Sequence, residues 1–199
     1  MKRKNKKSSC CYLLQVSIVF LSVILNSCNY FKDIKTSWII RHEYGKEINF
    51  SWPGYEVLTD TVYDYYEIKA PLTIVTYINE ELCEECLSSY LKTAEKFINL
   101  FHSDSIEFVC IAYPRAIEKL KYALSLAGTD SLKVRMIYDS DNLYLSSNSI
   151  TQLSSGYNAF LIDENHKVIL MGDPIRSESV YELYKTTIQK KMVYTEREK

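Results

Sequence analysis

Two cysteines in Cys83-Glu84-Glu85-Cys86 are the side chains of this chain best placed to do chemistry. Across the first turn of a helix this spacing puts both sulfurs on one side, near enough to bond. Backbone N–H groups and the positive end of the helix dipole would stabilise a thiolate at Cys83, and the thiolate is the form that attacks disulfides. Glu84 and Glu85 oppose this by adding negative charge beside the sulfur. The two glutamates either repel acidic partners or, the reading that needs no function and is preferred, simply make a favourable acidic first turn. Three uses of the pair stand open. One is a redox-active dithiol, with Cys83 the exposed nucleophile and Cys86 the more buried resolving thiol. Another is a static disulfide that pins the helix start, and the third is a metal site. Zinc in a closed site takes four ligands and the chain has no second C-x-x-C, so no metal is expected. No cofactor is expected either. His42, His102 and His166 read as surface residues, and Cys110, inside an apolar strand, as a small core residue.

The other three cysteines sit at the start of the chain. Residues 1–7 are basic, residues 12–25 (YLLQVSIVFLSVIL) are apolar, and Leu25-Asn26-Ser27-Cys28 follows. Fourteen residues interrupted by Gln15, Ser17 and Ser22 fall short of the ~20 needed to cross a bilayer, and the arrangement is that of a secretory signal. The last four residues resemble the lipobox of bacterial lipoproteins. That resemblance implies cleavage before Cys28, lipidation of Cys28, and an anchored protein of the cell envelope facing the periplasm or the exterior. Cys10 and Cys11 would leave with the signal. Disulfides persist in such a compartment.

The chain has 199 residues, 24 basic and 25 acidic. Five of the basic residues and none of the acids lie in residues 1–27, so the remainder carries −6. A net-acidic body without a Lys/Arg cluster argues against nucleic acid as a partner.

The elements that must position Cys83 and Cys86 follow from pattern. Residues 28–69 read as a tether and a small β extension. In it Ile48/Phe50, Tyr55/Val57 and residues 62–68 alternate, and Pro53-Gly54 makes a turn. Trp38 and Ile39 are anchors of a short helix ahead of it. Tyr63, Tyr65 and Tyr66 fit a strand better than a binding surface. Residues 72–78 (LTIVTYI) are a strand buried on both faces. The helix after the cysteines carries Leu87, Leu91, Ala94, Phe97, Ile98 and Phe101 on one stripe. A strand over 106–113 follows, then a helix stopped by Gly128 and a strand over 133–138. Residues 139–149 are a loop or short helix with Leu143 and Leu145. Residues 159–163 and 166–171 make an antiparallel hairpin. A helix over 176–191 with Val180, Leu183, Tyr184 and Ile188 closes the fold, and residues 192–199 are a tail. Strand, helix, strand, helix, strand, then hairpin and helix is an α/β sheet with a terminal antiparallel pair.

C-x-x-C in a βαβ context is a thioredoxin-like redox motif. Residues 70–191 resemble the thioredoxin-like family, in particular membrane-tethered thiol-disulfide oxidoreductases and thioredoxin-domain lipoproteins. Residues 73–86, the hairpin AFLIDENHKVILM and Gly172-Asp173-Pro174 carry the likeness. It implies a three-layer sandwich around a mixed central sheet, preceded by the lipoprotein signal and the β extension. It also implies catalytic Cys83 and Cys86, substrate docking at Gly156, Tyr157 and Asn158, and protein or small-molecule disulfides and thiols as partners. The chain departs from the family in three places. Leu82 and Glu84-Glu85 replace Trp and Gly-Pro around the cysteines, Tyr77 fills the slot of a buried acid, and the proline before the hairpin strand is missing near Tyr157. The departures imply weak or narrow activity, or a non-catalytic interaction module built on the same fold. A peroxidase would need a Pro/Thr-rich loop with its own cysteine ahead of the helix, and none is present.

Overall fold

Six β-branched or aromatic residues follow Leu72 in the central strand. Strand β3 (Leu72–Ile78) is hydrogen-bonded on both sides and buried throughout except at Tyr77, as a strand covered by helices on both faces must be. The computed structural model describes residues 42–57, 59–63, 67–68, 70–78, 83–101, 105–113, 117–128, 134–148 and 158–197. Of these, the residues from Glu43 onward form one compact unit.

The sheet has seven strands in the order β2-β1-β5-β4-β3-β6-β7, with β1 Gly54–Glu56, β2 Thr61–Tyr63, β4 Ile106–Ala112, β5 Val134–Tyr138, β6 Ala159–Asp163 and β7 Val168–Met171. Strands β3, β4 and β5 run parallel, and the other pairings are antiparallel. Four helices are described: α1 Glu84–Ile98, α2 Ile117–Ala127, α3 Leu143–Asn148 and α4 Glu178–Arg197. The expected strand-helix alternation and terminal hairpin are present, with β6 beside β3 as the hairpin required.

One face of the sheet packs on α1, α2 and α4. Leu72, Ile74 and Ile78 of β3 join Leu87, Leu91, Phe97, Leu120, Leu124, Tyr184 and Ile188 in one cluster. Each fully buried aliphatic side chain there contributes about 1.5–3 kcal/mol. Strand residues alternate between faces, so Tyr77 points the other way, where its ring stacks on Tyr144 of α3 at 5.9 Å and Tyr144 meets Trp52 edge-on at 6.3 Å. Asp139 builds that face locally by accepting from the N–H groups of Leu143 and Tyr144, both at 2.8 Å.

Four local expectations are corrected. Pro53-Gly54 is no turn, because Gly54 opens β1; a separate turn at Thr59-Asp60, with Asp60 at φ +52°, joins β1 to β2. Gly54 is there for close approach: a Cβ would stand 2.8 Å from Ile137 Cγ2. Tyr144, rather than Leu143 or Leu145, is the buried residue of α3. Leu183 faces solvent at 51% exposure, one position off the 180/184/188 stripe. Helix α4 continues to Arg197, because residues 189–197 hold good helix formers and neither Gly nor Pro. Gly128 does end α2 in the left-handed conformation, at φ +64°.

Candidate active site

Cys83 is the N-cap of α1. Its backbone is extended (φ −67°, ψ 160°), its carbonyl accepts the first helical bond from Leu87 N at 2.8 Å, and its Sγ accepts from Cys86 N at 3.1 Å. The sulfur thus stands where a Ser or Asp oxygen caps most helices. Cys83 and Cys86 are joined as a disulfide with Cα atoms 5.0 Å apart. Cys83 is exposed as expected, and Cys86 is exposed as well. The inward stripe begins one residue later, at Leu87, so Cys86 stays on the solvent side of the first turn.

Charge around the pair has two signs. Glu84 and Glu85 lie in the first turn, and Lys119 Nζ of α2 reaches Glu84 Oε1 at 3.4 Å. The pair is largely solvated and adds little to stability. Its effect on the site is to offset part of the negative charge that works against a thiolate at Cys83. Lys119 was not singled out in the sequence, because only the packing of α1 against α2 brings it here.

Beneath the helix lies a buried polar cluster. Tyr90, one turn beyond Cys86, has its hydroxyl 3.2 Å from both Thr76 Oγ1 and Asp173 Oδ1. Ile175 N donates to Asp173 Oδ1 at 2.9 Å, and Arg176 Nε lies 3.5 Å from Oδ2. Burial pushes the Asp173 carboxyl above its ordinary range, against the pull of the Ile175 N–H, Arg176 and Tyr90. Cys110, on β4 and fully buried, has its thiol raised well above normal, first by burial and then by the Asp173 charge. The buried acid on this face thus comes from the loop after β7 rather than from β3. Tyr77, where the resemblance led us to expect a buried acid, is turned to the opposite face, where burial and the Asp139 charge raise its hydroxyl to about 12. Gly172-Asp173-Pro174 was legible as a motif, but its burial was not.

Asn158 stands at the foot of β6, against the end of β3 that leads to the cysteines. Its carbonyl accepts from Tyr77 N at 2.9 Å, its Nδ2 donates to Tyr77 O at 2.8 Å, and its buried Oδ1 has no hydrogen-bond partner among the described residues. Gly156, Tyr157, Leu82 and Cys28 lie outside the described residues, as do Trp38, Ile39, Tyr65, Tyr66 and His102.

Solved structures share this architecture. The thioredoxin domain of a thiol-disulfide oxidoreductase from Bacteroides vulgatus superposes with a TM-score of 0.54 at 15% identity, covering 73% of this chain and 97% of that one. The C-terminal domain of an uncharacterized protein from Bacteroides fragilis gives 0.53 at 15% identity, over 71% and 95%. A domain of a possible thiol-disulfide isomerase from Cytophaga hutchinsonii gives 0.51 at 15% identity, over 74% and 96%. No family model and no curated protein matches the chain. At these identities the likeness is one of fold: the chain has the thioredoxin-like fold, with a Cys83–Cys86 disulfide at the start of the helix that follows its central strand.

Proposed function

We propose that this protein is a thiol-disulfide oxidoreductase that exchanges its Cys83–Cys86 disulfide with thiols and disulfides of proteins or small molecules. The observation that carries the reading is an exposed disulfide whose first sulfur caps a helix. In the reducing direction, the Cys83 thiolate attacks a substrate disulfide, forming a mixed disulfide and expelling one substrate thiolate, which takes a proton from water. Cys86, deprotonated, then attacks Cys83 Sγ, releases the second substrate thiol and restores the intramolecular disulfide. Two electrons pass from the dithiol to the substrate. The Cys86 N–H and the helix terminus lower the cost of the Cys83 thiolate. With no proline near Tyr157, partner docking at Gly156, Tyr157 and Asn158 is on this reading narrow in range. Turnover of a generic disulfide is accordingly poor beside an ordinary thioredoxin.

Trapping the intermediate tests this reading. Cys86→Ala, reduced and mixed with a small neutral disulfide, should accumulate one adduct, located on Cys83 by mass spectrometry. An unmodified Cys83 in the folded variant would leave the non-catalytic interaction module as the better account.

The protein acts, on this proposal, from a lipid anchor at Cys28, in the bacterial cell envelope. The support is the sequence of residues 1–28. Cys28→Ala should leave a full-length, unlipidated precursor, while a wild-type protein that keeps Met1 and carries no lipid would contradict the anchor.

A further inference from the structure

The two cysteines of the disulfide are both exposed, yet their sulfurs are not equivalent. Helix α1 runs back from the end of β3 towards the start of the parallel strand β4, and Tyr90 on its second turn meets Thr76, two residues short of the end of β3. Four helical residues rise about 6 Å and two strand residues about 7 Å. The turn that carries Cys86 therefore lies level with the end of the strand, clear of the sheet that buries Tyr90. The Cα–Cβ bond of a helical residue also tilts towards the helix N-terminus, which for Cys86 is the open side. Both effects account for its exposure. Hydrogen bonding is what separates the pair. Cys83 Sγ accepts from Cys86 N at 3.1 Å and stands at the helix N-terminus, whereas no hydrogen-bond donor meets Cys86 Sγ among the described residues. Negative charge is thus better stabilised on Cys83 than on Cys86.

A disulfide opens by attack on one sulfur and departure of the other, and the more stable thiolate departs faster. We infer that an incoming thiol opens the oxidised protein by attacking Cys86 Sγ and expelling Cys83, so that oxidation of a substrate dithiol enters at Cys86 while reduction of a substrate disulfide starts from Cys83. The inference rests on the proposed exchange activity and adds the sulfur at which thiol substrates engage it. A substrate thiolate forms a bond to Cys86 Sγ as the bond between the two protein sulfurs breaks, and Cys83 leaves as a thiolate. The second substrate thiolate then attacks the substrate sulfur of this mixed disulfide, closes the substrate disulfide and expels Cys86 as a thiolate. Two electrons pass from the substrate dithiol to the protein, and its two protons go to water or to the released cysteines. Attack at Cys83 would instead expel Cys86, the sulfur that lacks the stabilising N–H.

Rapid quenching of the oxidised wild-type protein with excess 2-mercaptoethanol tests this. Acid stops the exchange, free thiols are alkylated, and tandem mass spectrometry reads which cysteine carries the mixed disulfide. Extrapolated to zero time, which removes later migration between the sulfurs, adducts on Cys86 should outnumber those on Cys83 about fivefold or more. In oxidised protein unfolded by urea the ratio should approach one, because the helix terminus is gone. A second measurement isolates access. Cys83→Ser and Cys86→Ser, each loaded with thionitrobenzoate on the remaining cysteine, should release that thiolate to 2-mercaptoethanol at rates within about tenfold of each other. Serine keeps the helix cap in the first variant. Three results would each overturn the inference and leave the exchange activity standing: a quenched adduct mainly on Cys83, a preference for Cys86 that persists in urea, or release from Cys86 slower than from Cys83 by more than that margin. A disulfide that 2-mercaptoethanol does not open in the folded wild type would refute the exchange activity itself, and the inference with it.

Discussion

Two kinds of sulfur sit in one domain, a strand apart. Cys83 and Cys86 cap a helix at the surface, where N–H groups and water stabilise negative charge. Cys110 lies in the middle of β4, paired in register with Thr76 and Met136 and fully buried, with the Asp173 carboxylate adding repulsion. The thiolate of the first kind is accessible, and that of the second is suppressed by desolvation and by a like charge. Reactivity here is therefore assigned by position in the fold rather than by residue type.

The sharpest way to break that contrast is alkylation. In the reduced, folded protein Cys83 should react at least about 10³-fold faster than Cys110, with Cys110 labelled only through unfolding. Comparable rates, read by mass spectrometry of peptides, would dissolve the distinction. Substitution gives the complement. Cys83→Ser should abolish exchange, and Cys110→Ala should leave it within about twofold while lowering stability by about 1–2 kcal/mol in denaturant unfolding, as the loss of a small buried group does.

Leu91 anchors the helix that carries the reactive pair and is fully buried. Leu91→Ala should cost about 2–5 kcal/mol, measured by urea unfolding, with the exchange rate of the remaining folded protein little changed. At the far edge of the sheet, Gly54→Ala should cost about 1–3 kcal/mol, because the added methyl must displace Ile137.

The smallest effect concerns the acid under α1. The carboxyl of Asp173 is raised in the folded state, so the unfolded chain releases that proton first as pH rises. Its ionisation then opposes folding from the ordinary carboxylate value of about 4 upward, until the folded-state group has also titrated. Asp173→Asn keeps an acceptor for Tyr90 and Ile175 N and removes the titration. Its stability should therefore fall less than the wild type's between pH about 4 and neutrality. Parallel pH profiles of the unfolding free energy would assign the slope to other groups.

What could be read from the residues followed from local rules. LTIVTYI announced a buried strand, the three-and-four spacing from Leu87 to Ile98 a helix on one stripe, and AFLID with VILM a hairpin; each matches the structure to within a few residues. The C-x-x-C placed its own helix terminus. Features set by tertiary packing were not legible. The burial of Asp173, the reach of Lys119 to Glu84 and the turning of Tyr77 towards Tyr144 depend on which elements become neighbours. Pro53-Gly54 misled because a Gly required by close approach to Ile137 has the same letter as one required by a turn.

Equilibration of the folded protein with a graded dithiol/disulfide buffer, followed by acid quench and alkylation, tests the central claim most directly. The account predicts that Cys83 and Cys86 gain label together along one reversible two-electron curve, the same from the oxidised and the reduced side, with the labelling of Cys110 unchanged across the buffer ratios. A Cys83–Cys86 disulfide that opens only when the domain unfolds would contradict it.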